Sequence, residues 1–117
     1  MKHPLSLKKT EEFQKVYHKG KSYANKQLVM YVLPNGSGIN RLGISISKKI
    51  GNSVKRHHLA RLIRENMRLS EEMLNHGFDI VVVARGGAKN ADYHQIGSAL
   101  ADLAVLHHLS NQKETGL

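Results

Sequence analysis

RLGISISKKIGNSVKRHHLARLIRENMR, residues 41–68, decides how the chain folds. Its first seven residues alternate: Leu42, Ile44 and Ile46 make an apolar row, and Gly43, Ser45 and Ser47 a small polar one. A period of two is a strand with unlike faces. Small residues there admit a bulky ligand close to the strand, and a plain solvent-facing surface explains them as well. Gly51-Asn52-Ser53 breaks the pattern and supplies a helix cap. At about 100° per residue, His57, Arg61, Arg64 and Arg68 then fall on one narrow stripe, with Leu59, Leu62, Ile63, Leu69 and Met73 on the opposite face. One side suits a core and the other suits anions. Lys48, Lys49 and Arg56 extend the positive surface at the start of the helix, which is expected to run to about residue 75 and stop at Gly77.

C-terminal to this stretch, Phe78–Ala84 (FDIVVVA) is a continuous β-branched run, as in a central strand buried on both faces. A Gly-rich loop follows, and Asn90 or Asp92 caps a last helix in which Tyr93, Ile96, Leu100, Leu103 and Leu106 repeat at helical spacing. From Ser110 the tail is polar and expected to fray. On the N-terminal side, residues 10–19 read as a short helix capped by Thr10, with Glu11 and Glu12 at its positive end and Gly20 as a left-handed stop. Phe13, Val16 and Tyr17 share one face, and composition alone makes all three core. Residues 21–24 read as a short strand and residues 27–33 as a firmer one. In the latter Leu28, Met30 and Val32 point one way and Val29, Tyr31 and Leu33 the other, so one face should be covered and the other line a cleft or meet a helix. Residues 34–38 (PNGSG) read as a hairpin connection.

The element order is therefore α-β-β-β-α-β-α. The strand–helix–strand unit from 42 to 84 implies a parallel pair and the loop at 34–40 an antiparallel one. A mixed four-stranded sheet with helices mainly on one face is an α+β two-layer sandwich. A single domain over residues 1–117 is expected, ordered from about 5 to 109, with the tail 110–117 frayed.

Lys and Arg total 18 against nine Asp and Glu, a formal net charge of +9 and a pI near 10.0. So large an excess in a small domain points to a polyanion partner. There are no cysteines, which excludes disulfides and thiolate metal sites and fits the cytosol. The first residues hold no apolar run for a signal peptide, and no stretch approaches the ~20 apolar residues of a membrane span. A cytoplasmic protein without a membrane partner is expected, an acidic lipid surface being the weaker alternative.

Catalytic patterns are missing. No serine has a nucleophile-elbow context, no HExxH or phosphate-loop spacing is present, and the adjacent pairs His57-His58 and His107-His108 point to different sides of a helix. Acids are few, and Glu11, Glu12, Glu71 and Glu72 read as helix-surface charges. No catalytic residue and no protein-bound metal is expected. The basic stripe, flanked by only Glu65, Glu71 and Glu72, favours nucleic acid, since arginine binds phosphate through two parallel hydrogen bonds. Phe13, Tyr17 and Tyr31 would suit unpaired bases, hence single-stranded RNA.

F-x-x-V-Y-x-x-G, then R-L-G-x-S-x-S-K-K-x-x-G-N-x-V, then the arginine-rich helix resemble the protein subunit of bacterial ribonuclease P, over about residues 7 to 85. The resemblance implies a left-handed β-α-β crossover, against the usual rule, in a ribosomal protein S5 domain 2-like fold. It implies one protein per catalytic RNA, with that RNA and precursor tRNA as partners. It further implies that the RNA, using magnesium, hydrolyses the bond 5′ of the mature tRNA, and that the protein brings no cofactor of its own. The leader-binding cleft would use Phe13, Tyr17 and Tyr31, against the core reading of the first two. RNA would be bound by Lys48, Lys49, Asn52, Arg56, His57, His58, Arg61, Arg64 and Arg68. One departure stands out: the family's helix commonly opens Arg-Asn-Arg, whereas Arg56-His57-His58 stand here, and Ala60 replaces a common lysine. Protonated His57 or His58 would then replace a missing cation. Two rival readings are a general RNA-binding or ribosome-associated module, and a protein-only nuclease, which the sparse acids disfavour.

Overall fold

The structure, a computed structural model, describes residues 5–110. The chain forms β1 (Leu5–Ser6), α1 (Thr10–Lys19), β2 (Lys21–Ala24), β3 (Leu28–Pro34), β4 (Arg41–Ser45), α2 (Ser53–Ser70), β5 (Phe78–Ala84) and α3 (Tyr93–Leu106). The α+β class and mixed sheet are as expected, and a two-residue fifth strand, β1, is added at the edge beside β4.

The strand order is β1-β4-β5-β3-β2. β5 lies at the centre, parallel to β4 and antiparallel to β3. Residues 34–38 therefore do not connect a hairpin: β5 stands between β3 and β4. The reason is burial, because only a run apolar on both faces can fill a position covered on both sides, and four consecutive residues from Asp79 to Val82 are buried. The antiparallel hairpin is instead β2–β3, closed by Asn25, whose side-chain oxygen accepts from the backbone N–H groups of Gln27 and Leu28.

Alternation along the strands sends one set of side chains to each face. Leu28, Met30, Val32, Leu42, Ile80 and Val82 enter the main core with Leu59, Ile63 and Met67 of α2 and Ile96, Leu100 and Leu103 of α3. Val81, on the other face, meets Leu7 and Val16 under α1. Two helices thus cover most of one face, leaving Tyr23 of the edge strand β2 exposed, and one covers part of the other.

α2 begins where expected, with the Asn52 side chain accepting from the Lys55 N–H at 2.9 Å. It ends at Ser70 and passes into a 3₁₀ turn, Glu71–Met73, rather than continuing to residue 75. Helical phase is lost there, so Met73 is 42% exposed; Leu69, at the margin of the apolar arc, is 61% exposed. Met67, four residues beyond Ile63, takes the core place instead. Gly77 does adopt a positive φ of 99°, but in the turn entering β5. Asp92 caps α3, accepting from the Gln95 N–H, and Leu106, expected in the apolar repeat, is exposed. Among the described residues no helix is long and apolar enough to cross a membrane. Residues 111–117 of the expected frayed tail lie outside the described residues.

His107 ties α3 to the sheet. Its Nε2 lies 2.8 Å from the Met30 carbonyl oxygen, so that nitrogen carries the hydrogen, since a carbonyl only accepts. Its ring also meets Tyr23 edge-on at 4.7 Å. Burial lowers the imidazole pKa, outweighing the Met30 carbonyl, with Lys21 and His108 adding to the lowering. The unfolded chain thus binds this proton more readily. The resulting stability is complete above the ordinary histidine range and is lost as pH falls from there toward the lowered folded value. The melting temperature is expected to drop across that window in the parent, and less steeply in His107→Gln, as thermal unfolding at several pH values would show.

Candidate nucleic-acid interface

Three rows of side chains cross the α1 face of the sheet, as the pairing register dictates. Arg41, Asp79 and Leu33 form the first, Gly43, Val81, Tyr31 and Ser22 the second, and Ser45, Val83, Val29 and Ala24 the third. α1 lies over the first two. Val81 is wholly buried, whereas Val83, Val29 and Ser45 in the third row are only half-buried. This less covered row, in which Val83 still packs against the cluster under α1, is the floor of a cleft, and α1 is its wall.

Two turns of α1 place Phe13 and Tyr17 on that wall. Val16 between them is fully buried, as expected, and Phe13 and Tyr17 are half-buried. The Tyr17 and Tyr31 rings meet edge-on, with centroids 4.9 Å apart; Phe13 and Tyr17 are 6.4 Å apart. The three aromatics expected for the cleft are thus brought together, each with part of its surface open. They are neither plain core nor free on the surface.

Gly43 has a different use from the close ligand approach that its size suggested. A Cβ at this position would lie 2.6 Å from Phe13 Cζ, so the ring of Phe13 occupies the space. Gly43→Ala should force that ring away from the sheet, costing about 1–3 kcal/mol by overpacking; chemical denaturation against the parent measures it. Ser45, two residues on, keeps the open position. Gly20 is likewise no left-handed stop: its φ is −83°, and a Cβ would lie 2.7 Å from the Val16 carbonyl oxygen and 2.9 Å from that of Val32. It lets the end of α1 sit tightly on β3. Thr10 is the first helical residue rather than the cap, and the orphan N–H groups of Lys8 and Lys9 are satisfied by Glu12 Oε1 at 3.1 and 3.0 Å.

The basic residues form a second surface. Lys48 and Lys49 are exposed in a 3₁₀ turn, Lys48–Ile50, anchored by the buried Ile50. Asn52 spends its side-chain oxygen on the α2 cap. Arg56 is half-buried, and its Nε has no hydrogen-bond partner among the described residues. His57, His58, Arg61, Arg64 and Arg68 follow along α2, all exposed; His57, Arg61, Arg64 and Arg68 share the stripe, and His58 stands about 100° round the helix from it. Arg68 pairs with Glu65 at 2.8 Å and is already partly neutralised.

A groove of about 1000 Å³ joins the two surfaces, lined by Leu5, Leu7, Lys8, Lys9, Phe13 and Ile44 on one side and Arg64 and Arg68 on the other. Phe13 belongs to both the cleft and the groove. At the opposite end of the cleft, where β4 and β5 finish, the Lys48–Ile50 turn packs beside the Gly86–Ala88 turn, and the Lys26 carbonyl lies against Gly87. Exposed Lys26, Arg85 and Lys89 thus add to the positive surface. The sequence reading missed these three and Val83, whose signal was the outward half of its strand's alternation; Val29 lies on the strand face expected to line a cleft or meet a helix. Among the described residues no group of three His, Asp or Glu could hold a metal ion.

A half-open aromatic cleft beside a basic helix on a mixed sheet defines an RNA-binding α+β protein. The Ribonuclease P family profile matches residues 1–107. A ribonuclease P protein component from Lachnoclostridium phytofermentans is 56% identical over 109 residues, covering 93% of this chain and 94% of its own. One from Caldanaerobacter subterraneus is 46% identical over 108 residues, covering 92% and 93%. The solved structure of the Staphylococcus aureus RNase P protein is 39% identical and superimposes with a TM-score of 0.84, covering 91% of this chain and 97% of that one. The Thermotoga maritima RNase P protein is 30% identical, with a TM-score of 0.79 over 85% and 94%. The chain belongs to the ribonuclease P protein family and is a protein component of that tRNA-processing endoribonuclease.

Proposed function

We propose that this chain is a single RNA-binding domain that docks on the catalytic RNA of ribonuclease P through the basic face of α2 and holds the 5′ leader of precursor tRNA in the cleft between α1 and the sheet. Leader bases stack on Phe13, Tyr17 and Tyr31. Lys48, Lys49, Arg56, Arg61 and Arg64 contact phosphates. Asn52 offers only its amide nitrogen, its oxygen being held by the cap. The observation that carries this reading is the meeting of the two surfaces at Phe13. It lets one small domain grip the catalytic RNA and the substrate strand together.

Magnesium enters as a cofactor of the RNA. By neutralising phosphate repulsion and orienting the leader, the protein lowers the metal concentration that the RNA reaction requires. One protein serves one RNA, in the cytoplasm. His57 and His58 stand in for the family's usual asparagine and arginine. His57→Asn/His58→Arg, which restores the family's usual pair, is expected to bind the catalytic RNA at least as tightly as the parent in a filter-binding titration; weaker binding would discard the substitution idea alone.

A second reading attaches to one relative. A solved variant of the Staphylococcus aureus RNase P protein, 39% identical with a TM-score of 0.83, is described as defective in mRNA degradation activity. Incubating RNA-free protein of this chain with an unstructured transcript decides whether it shares such an activity; the leader-binding reading expects the transcript to stay intact.

A further inference from the structure

We propose that Arg41 is a positioning residue for leader recognition: its guanidinium fixes how α1, the aromatic wall of the cleft, stands over the sheet. This rests on the leader-binding reading above. Arg41 opens β4, at the closed end of the α1 face. Its Nε and one terminal nitrogen donate to the two oxygens of Asp79 at 2.8 and 2.7 Å, and the other terminal nitrogen donates to Glu12 Oε2 at 3.0 Å. Asp79 is 4% exposed and is further fixed by the Asn35 side-chain amide at 2.9 Å. One end of the clip is therefore rigid.

The other end is the first turn of α1. Glu12 uses one oxygen for the N–H groups of Lys8 and Lys9 and the other for Arg41. A single carboxylate thus both closes the start of the helix and moors it to the sheet. Phe13 is the next residue, its ring resting on Gly43, two residues along β4 from Arg41. Tyr17 follows one turn later, against Tyr31. Apolar packing beneath α1 centres on Leu7, Val16 and Val81, with Phe13, Tyr17, Tyr31, Leu33 and Val83 partly buried around them, and such packing does not set direction as an ion pair with three fixed hydrogen bonds does. Among the described residues, Arg41 makes the ion pairs that join α1 to the sheet, and Lys15 of α1 adds a longer-range attraction to Asp79.

The charges persist at neutral pH. The backbone N–H groups of Lys9 and Lys8, then Arg41, hold the Glu12 carboxyl below its usual range. Burial pushes Asp79 up, but the hydrogen bonds from Arg41 and Asn35 outweigh it and leave it lowered. Asp79 raises Arg41 in turn. Glu12, which by its sequence reads as a helix-surface charge, is thereby assigned to the geometry of the cleft.

The test uses holoenzyme reconstituted with catalytic RNA, titrated with precursor tRNA and with mature tRNA, which lacks the leader. The ratio of the two affinities isolates the leader. Arg41→Gln and Glu12→Gln are each expected to reduce that ratio by roughly fivefold to thirtyfold, as when base stacking is partly removed. Affinity of the protein for the catalytic RNA alone should be unchanged, and Arg41→Lys, which keeps the charge, should recover part of the ratio. If Arg41→Gln fails to fold because Asp79 is left unpaired, Glu12→Gln decides, since it keeps an oxygen for the helix start. A parental ratio in Glu12→Gln and in any folded Arg41→Gln, alongside a reduced ratio in Tyr17→Ala, overturns the positioning role and leaves the cleft reading standing. An unchanged ratio in Tyr17→Ala as well overturns both.

Discussion

Replacing Tyr17 or Tyr31 with alanine is expected to weaken binding of precursor tRNA by about 1–3 kcal/mol, the worth of a stacked base, while binding of mature tRNA stays near the parent value. The two rings meet edge-on at 4.9 Å and each is half-buried. One surface of each ring is thus braced by protein and another is open to a base. Removing either ring also loosens the other, so the double variant should lose less than the sum of the single losses. Tyr17→Phe keeps the ring and should retain most of the affinity. Phe13→Ala differs in kind: its ring fills the space over Gly43, so its removal should lower stability together with leader affinity. Equal losses for precursor and mature tRNA in Tyr17→Ala and Tyr31→Ala would place the leader elsewhere.

The other large effect is expected at the basic face. With about five phosphates contacted, log affinity for the catalytic RNA should fall against log salt with a slope of roughly −3.5 to −4.5. The Arg61→Glu/Arg64→Glu variant should bind far more weakly at low salt and show a shallower slope, by roughly one unit for each phosphate no longer gripped. Arg68 lies on the same stripe but is paired with Glu65 at 2.8 Å. Arg68→Ala should therefore cost less than Arg61→Ala or Arg64→Ala. A filter-binding titration at several salt concentrations separates these cases. An affinity almost independent of salt would rule out the α2 face as the docking surface.

Local features were legible in the sequence because they depend on a few adjacent residues. Strand alternation in residues 28–33, the caps Asn52 and Asp92, and the two-sided run Phe78–Ala84 all fold as read. The end of α2 was not legible, since Leu69 and Met73 continue the apolar count whether or not the helix does. Strand order was not legible either. Residues 34–38 have the chemistry of a hairpin turn, and only the demand of β5 for cover on both faces places it between β3 and β4. For the cleft, the three aromatics were named by family resemblance, against a composition that favoured core. Their half-burial reconciles the two: each packs on one side and is open on the other. The Arg41 clip joins residues 29 and 38 positions apart in the chain, and no local pattern announces such a pairing.

The division of labour between protein and RNA is tested most directly by cleavage of precursor tRNA at low magnesium in three mixtures: catalytic RNA alone, RNA-free protein alone, and both together. Correct 5′ ends are expected at a useful rate only when both are present. Protein that trims the leader at the mature junction without RNA, or that gives the catalytic RNA no advantage at low magnesium, would contradict a role confined to gripping phosphates and unstacked bases.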